Sequence, residues 1–192
     1  MQHVQVPHEL VELRKSGKLE QGDQVIYASV KKFMNNDTRE CFPSITKISN
    51  QLDCSRQKII DALERLSKAN LIKITREGRR NKYTFLRRDW DNYFEMFTND
   101  FLQLNMPINV KEYYMGVQPY LYGKETGVGR CSFANTELAE RLGLHPISVK
   151  KYNTWLIEHG YMEEELTDKT DEAGLTVVQK NFNLTGLQQA AL

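Results

Sequence analysis

Apolar residues fall at helical spacing in short blocks separated by polar breaks. Val25, Ile26, Ser29, Val30 and Phe33 form a mostly apolar stripe, the 3–4 spacing that marks one face of a helix. Asn35-Asn-Asp-Thr38 breaks it. Ile45, Ile48 and Leu52 mark a short second helix behind Pro43-Ser44, with Ser44 suited to the N-cap. A tight turn at Asp53-Cys54 leads to Ser55, a second N-cap, and to a third helix with Ile59, Ala62, Leu63 and Leu66 on one face. Asn70, tolerant of the left-handed conformation, closes that helix. Beyond it the spacing changes to that of strands. Residues 71–76 and 82–86 read as a hairpin around a turn at 77–81.

The same succession recurs 90 residues later without a gap. Cys41/Cys131, Thr46/Thr136, Leu52/Leu142 and Leu66/Leu156 are identical, and apolar meets apolar at Ile48/Leu138, Cys54/Leu144, Ile59/Val149, Leu71/Tyr161 and Ile72/Met162. A fixed period of this size suggests one structural unit used twice. Its second copy predicts a first helix over 110–122 with Pro119 as a kink, and a second over 135–142. A turn at Gly143-Leu144 precedes a third helix that starts at Pro146 and closes at Gly160. Wing strands are expected at 161–166 and 175–184, around a polar tip at 167–174. Val6-Pro-His-Glu-Leu-Val-Glu-Leu also resembles Thr98-Asn-Asp-Phe-Leu-Gln-Leu, so the repeat begins before the first helix. The expected domains are 1–90 and 91–192, joined by a short, semi-rigid connection near Arg88 to Tyr93.

Two short helices across a tight turn make a helix-turn-helix, and the hairpin after them is a wing. The expected fold is mainly α with small β wings, arranged as two tandem winged helix-turn-helix domains. Cys41-Phe-Pro-Ser-Ile45, Ser55-Arg-Gln-Lys-Ile59 and the stretch Leu66 to Ile72 resemble the helix-turn-helix module of many phage and plasmid replication proteins and related regulators. The resemblance covers about residues 6–86 well and 98–184 more loosely, with Phe133-Ala in place of Pro-Ser and His145-Pro in place of Ser-Arg. It implies binding of double-stranded DNA and a role in replication initiation or transcription control of a phage, plasmid or other mobile element.

Charge sharpens this picture. The net charge of +1 conceals a split. Residues 1–90 hold 18 Lys+Arg against 11 Asp+Glu, and residues 91–192 hold 8 against 14. The first half is built to meet a polyanion. A recognition helix presents its amino end to base edges. On the third helix, Gln57, Ile60 and Asp61 point away from the core, with Arg56 and Lys58 at the amino end. Arg56 suits guanine, Gln57 adenine, Asp61 a cytosine amino group and Ile60 a thymine methyl. Lys73, Arg76, Arg79, Arg80 and Lys82 crowd the wing around Gly78, where phosphates are the expected contact, and Lys47 adds another. The second copy presents Ile147, Lys150, Lys151 and Thr154 on its helix, beside a wing with Glu163, Glu164, Glu165, Asp168, Asp171 and Glu172 around Lys169. Two readings therefore stand for it: a DNA reader with its wing held away, or a domain that pairs chains as a homodimer or docks a replication or transcription partner. Asn153 stands where the first copy has the core residue Leu63.

Other chemistry is not indicated. Cys41, Cys54 and Cys131 form an odd set without a Cys-x-x-Cys pair, which argues against a disulfide framework and a zinc finger. Cys41 and Cys131 read as small buried residues. Gly123-Lys-Glu-Thr lacks the earlier glycine and the Ser/Thr of a phosphate-binding loop. His3, His8, His145 and His159 have no ligand spacing, and Trp90 and Trp155 read as packing anchors. No cofactor and no enzymatic activity are expected. An N-terminus without a basic region and apolar stretch, and the lack of an 18-residue apolar run, predict a cytoplasmic protein without a membrane partner. The rival class is a winged-helix interaction scaffold with little direct DNA binding.

Overall fold

The computed structural model describes residues 3–86, 93–124, 128–170 and 176–183. The chain divides into two compact units, Met1–Glu112 and Tyr113–Leu192. This division lies beyond the expected boundary at 90/91. The expected connection itself falls mostly on residues 87–92, outside the described residues, as do Trp90 and the wing-tip residues Asp171 and Glu172.

The first unit opens with strand β1 (His3–Pro7), helix α1 (Glu9–Lys15) and helix α2 (Asp23–Lys31). Strand β2 (Glu40–Cys41), helices α3 (Ile45–Leu52) and α4 (Arg56–Lys68), and strands β3 (Ile72–Glu77) and β4 (Arg80–Phe85) follow. The unit also takes in strand β5 (Phe94–Thr98), helix α5 (Asn99–Gln103) and the start of helix α6 (Ile108–Val117). The reason is pairing: β5 runs antiparallel to β1 from His3↔Thr98 to Pro7↔Phe94. Val4, Val6, Phe97, Phe101 and Leu102 are buried. Lys111 then donates to the carbonyls of Leu102 (3.0 Å) and Leu104 (2.9 Å) at the end of α5. These elements open the second sequence repeat, yet they complete the first unit.

Local signals place the core helices. Ser44 and Ser55 cap α3 and α4 by accepting from Lys47 N and Lys58 N, each at 3.1 Å. Such a cap is worth about 1 kcal/mol. Ile48, Leu52, Ile59, Ala62, Leu63 and Leu66 face inward as expected. Ile45 is half-buried, and Phe33 lies past the end of α2. The turn between α3 and α4 passes through Asp53 at φ 46°. It is pinned by the Ser49 hydroxyl on Cys54 O at 2.6 Å. Asn70 follows α4 at φ 56°, and Gly143 and Gly160 adopt the same left-handed conformation 90 positions after Asp53 and Asn70. The wing turn is tighter than expected, because pairing continues to Glu77↔Arg80 and leaves only Gly78-Arg79 between the strands. The two-residue β2 joins the hairpin as a third strand, giving the order β2-β4-β3.

Two ionic contacts hold the first unit's helices. Fully buried Asp23, at the start of α2, takes both Nε (2.8 Å) and Nη2 (2.9 Å) of Arg65 on α4. Buried Glu112 takes Arg14 of α1 at 2.6 Å and the backbone N–H of Gly22, at the N-cap of α2. Burial pushes the Glu112 carboxyl up to about 7, against the opposing pull of Arg14 and Gly22.

The second unit comprises the rest of α6, a 3-10 turn (Gln118–Tyr120), strand β6 (Val128–Cys131), helices α7 (Asn135–Leu142) and α8 (Pro146–Glu158), and strands β7 (Met162–Thr170) and β8 (Thr176–Asn183). Its sheet order is β6-β8-β7, the counterpart of β2-β4-β3. Pro119 does not kink the helix: α6 ends at Val117 and Pro119 sits in the 3-10 turn. The β7–β8 pairing runs past the expected strand end, with a register shift between Leu166 and Thr170. Asn153 is buried because it has partners. Its Oδ1 accepts from Tyr113 Oη (2.6 Å) and its amide donates to Asn135 Oδ1 (3.0 Å).

Cys41 and Cys131 are buried and all three cysteines are free. Among the described residues no group of His, Cys, Asp or Glu could hold a metal ion, and no helix is long and apolar enough to cross a membrane.

Two predictions concern stability. Replacing Arg65 with Ala leaves Asp23 buried without this partner, and urea denaturation should show a loss of about 3 kcal/mol. A loss within experimental error would contradict the assigned role. For Glu112, the raised folded-state pKa makes the protonated form the stabilising one. Its contribution is full below the ordinary carboxylate range and is lost as pH rises through about 7. The urea midpoint of Glu112→Gln should therefore lose less than that of the parent between pH 5 and 7.5. Parallel profiles would refute the account.

Candidate nucleic-acid interface

In the first unit, α3, the amino end of α4 and the wing surround one open cleft of about 610 Å³. The Ser44 cap brings the first turn of α3, with Ser44 to Lys47, onto its wall. The Ser55 cap starts α4 so that Arg56 reaches the same space, and the two-residue turn brings in Arg79 and Arg80. Arg56, Arg79, Arg80 and Lys47 are exposed. Phe33, Phe42 and Pro43 supply its apolar wall, and Asn81 and Tyr83 complete it from β4. Cations from three separate elements thus converge on a concave surface.

The remaining candidates of the first unit divide by their partners. Lys73 and Arg76 are exposed on β3, with Arg76 Nε donating to Gly78 O at 3.3 Å. Lys82 is not an open cation, because it meets Glu77 at 2.6 Å and Glu40 at 3.3 Å. These carboxylates raise its pKa above the ordinary lysine value. On α4, Gln57 donates to Asp61 Oδ1 at 2.7 Å, so the two polar side chains are tied to each other. Base contact by either one would exchange that bond for a new one. Ile60 is half-buried. So is Lys58, whose Nζ lies 3.4 Å from where a Cβ on Gly22 would stand. The amino end of α4 therefore offers Arg56 and Gln57 most directly.

In the second unit, Ile147, Lys150, Lys151 and Thr154 are all exposed along α8. The Thr154 hydroxyl donates to Lys150 O at 3.0 Å. His145 caps this helix, its Nδ1 accepting from Ile147 N at 3.2 Å. Glu163, Glu164 and Glu165 are exposed on β7. Lys180 is buried and donates to Phe133 O at 2.7 Å; burial lowers its pKa. Trp155 is half-buried between two parallel rings, His159 with its centroid at 3.8 Å and Tyr161 at 5.9 Å.

Sequence reasoning missed the aromatic wall of the cleft. Phe42 is 44% exposed and lines the cleft beside its cations. Phe33 carries Lys47 Nζ at 4.3 Å and Lys32 Nζ at 5.0 Å from its ring centroid. The signal available was the run Lys31-Lys-Phe33 followed by Cys41-Phe-Pro43. Aromatic residues interleaved with cations mark a surface as a nucleic-acid candidate.

No curated protein matches the chain. The stretch from ahead of α2 to the first residue of β3 does match a family model. The chain thus carries a helix-turn-helix domain over residues 17–72, and a domain of this kind points to DNA binding.

Proposed function

We propose that this protein is a non-enzymatic, sequence-specific binder of double-stranded DNA, anchored by its first unit. The observation that carries this reading is the convergence of Lys47, Arg56, Arg79 and Arg80 on one cleft beside the exposed amino end of α4. In this reading α4 enters the major groove, Arg56 and Gln57 meet base edges, and the wing follows the phosphate backbone. Lys73 and Arg76 extend the cationic edge. A role as replication initiator or transcription regulator of a phage, plasmid or mobile element rests on the resemblance of the first unit's motifs.

The second unit is proposed as a second winged helix-turn-helix domain. Support comes from the matching order of its helices and strands, and from the left-handed positions at Gly143 and Gly160. Its α8 would present Lys150 and Lys151 to DNA. A second reading, in which this unit pairs chains or docks a protein partner, is favoured by the exposed carboxylates of Glu163, Glu164 and Glu165.

Fluorescence titration of labelled duplex DNA over a salt series tests the proposal. Arg79→Glu with Arg80→Glu should weaken binding at least about tenfold and flatten the dependence of log K on log salt by about two units. Unchanged affinity and slope would overturn the wing assignment, and absence of duplex binding by the parent protein at low salt would favour the scaffold reading. Lys150→Glu with Lys151→Glu should weaken the same binding if α8 reads DNA. An unchanged titration would assign the second unit to pairing or partner binding.

A further inference from the structure

The basic cleft of the first unit has a property that duplex binding does not require. A phosphate backbone is met by cations and backbone N–H groups, whereas this cleft also has an aromatic side. Phe42 stands on it with 44% of its surface exposed, the residue before Pro43 and the Ser44 cap of α3. Proline limits the backbone of the residue before it to extended conformations. Phe42 is therefore held at a defined place on the wall. Such a ring has a free π surface on which an unpaired base can stack.

The cations are arranged around this ring and its neighbour. Lys47 lies over Phe33 at 4.3 Å, and Arg56, Arg79 and Arg80 line the same cleft from α4 and the wing. Lys32 is also near Phe33, and its pKa is lowered by burial and then by the charge of Lys47. Like charges crowded beside one ring are relieved by an anion. The volume of about 610 Å³ falls in the range that holds small-molecule ligands. Ninety positions on from Phe42 the second unit has Ser132, and its ring stands one residue later, at the position of Pro43. There Phe133 packs edge-on to Tyr120 at 5.8 Å, with the Arg141 guanidinium 4.1 Å from the Phe133 centroid. The open aromatic wall belongs to the first unit.

We propose that the cleft between α3 and the wing receives an unpaired DNA nucleotide, its base stacked on Phe42 and its phosphate held by Arg79 and Arg80. This rests on the reading of the first unit as a DNA binder and adds a strand preference to it. The protein would then bind a duplex next to a single-stranded stretch more tightly than a fully paired one. Lys47 would hold the neighbouring phosphate of the same strand.

Anisotropy titrations with the full chain test this. The probes are a blunt 20-base-pair duplex, the same duplex with a five-thymidine overhang, and a 15-residue oligothymidylate. The overhang should tighten binding at least about fivefold, Phe42→Ala should abolish that gain, and Phe42→Tyr should restore it. The far-UV circular dichroism spectrum and the thermal midpoint of Phe42→Ala should match the parent's, which shows that the variant is folded. Blunt duplex bound with no gain from the overhang, or a gain that Phe42→Ala leaves intact, would overturn this inference while leaving duplex binding in place. Loss of blunt-duplex binding alone, with Phe42-dependent capture of oligothymidylate, would support the cleft and sink the duplex reading. No binding of any probe would overturn both.

Discussion

The setting of α4 in the first unit depends on the pair between Asp23 and Arg65. Asp23 has no solvent exposure, so its carboxylate is held by protein partners in place of water. Arg65 supplies two parallel bonds, the geometry in which guanidinium and carboxylate match best. The consequence is positional. Arg65 sits on α4 and Asp23 starts α2, so the pair clamps the third helix onto the first at its exposed flank. Ile59, Ala62, Leu63 and Leu66 bury the opposite side of α4. What remains for a ligand is the amino end, with Arg56 and Gln57, aimed past the Ser55 cap. The ion pair adds a directional contact to the apolar packing of α4.

Much of this was legible in the sequence because the signals are local. Ser44 and Ser55 announce helix starts a few residues away, and Asn70 and Gly160 announce ends. The apolar stripe of α4 needs only the 3.6-residue period. What was illegible depends on distant partners. The pairing of β1 with β5 joins segments about 90 residues apart, and neither strand has a periodic pattern long enough to stand out. It moves the compact division to Glu112/Tyr113. Lys82 counted as a free cation until Glu40 and Glu77 were placed beside it. Asn153 was an anomaly in a core position, and its explanation lies in Tyr113 and Asn135.

The two units share an order of elements and differ in surface. The first gathers its cations on a concave face shared by α3, α4 and the wing. The second keeps cations on α8, carries carboxylates along β7, and has Ser132 where the first has Phe42. Packing constrains the core positions of each unit and leaves its exposed ones free to differ. What distinguishes the first unit is the placement of its cations around one cleft, whereas net charge is something any solvated surface can carry.

Amide hydrogen exchange of the full chain with and without duplex DNA tests that anchor most directly. The account predicts slowed exchange at residues 56–61 of α4 and 76–82 of the wing, with α1 and α5 unchanged. Protection confined to residues 113–183, or none in the wing under conditions where the duplex is bound, would contradict it.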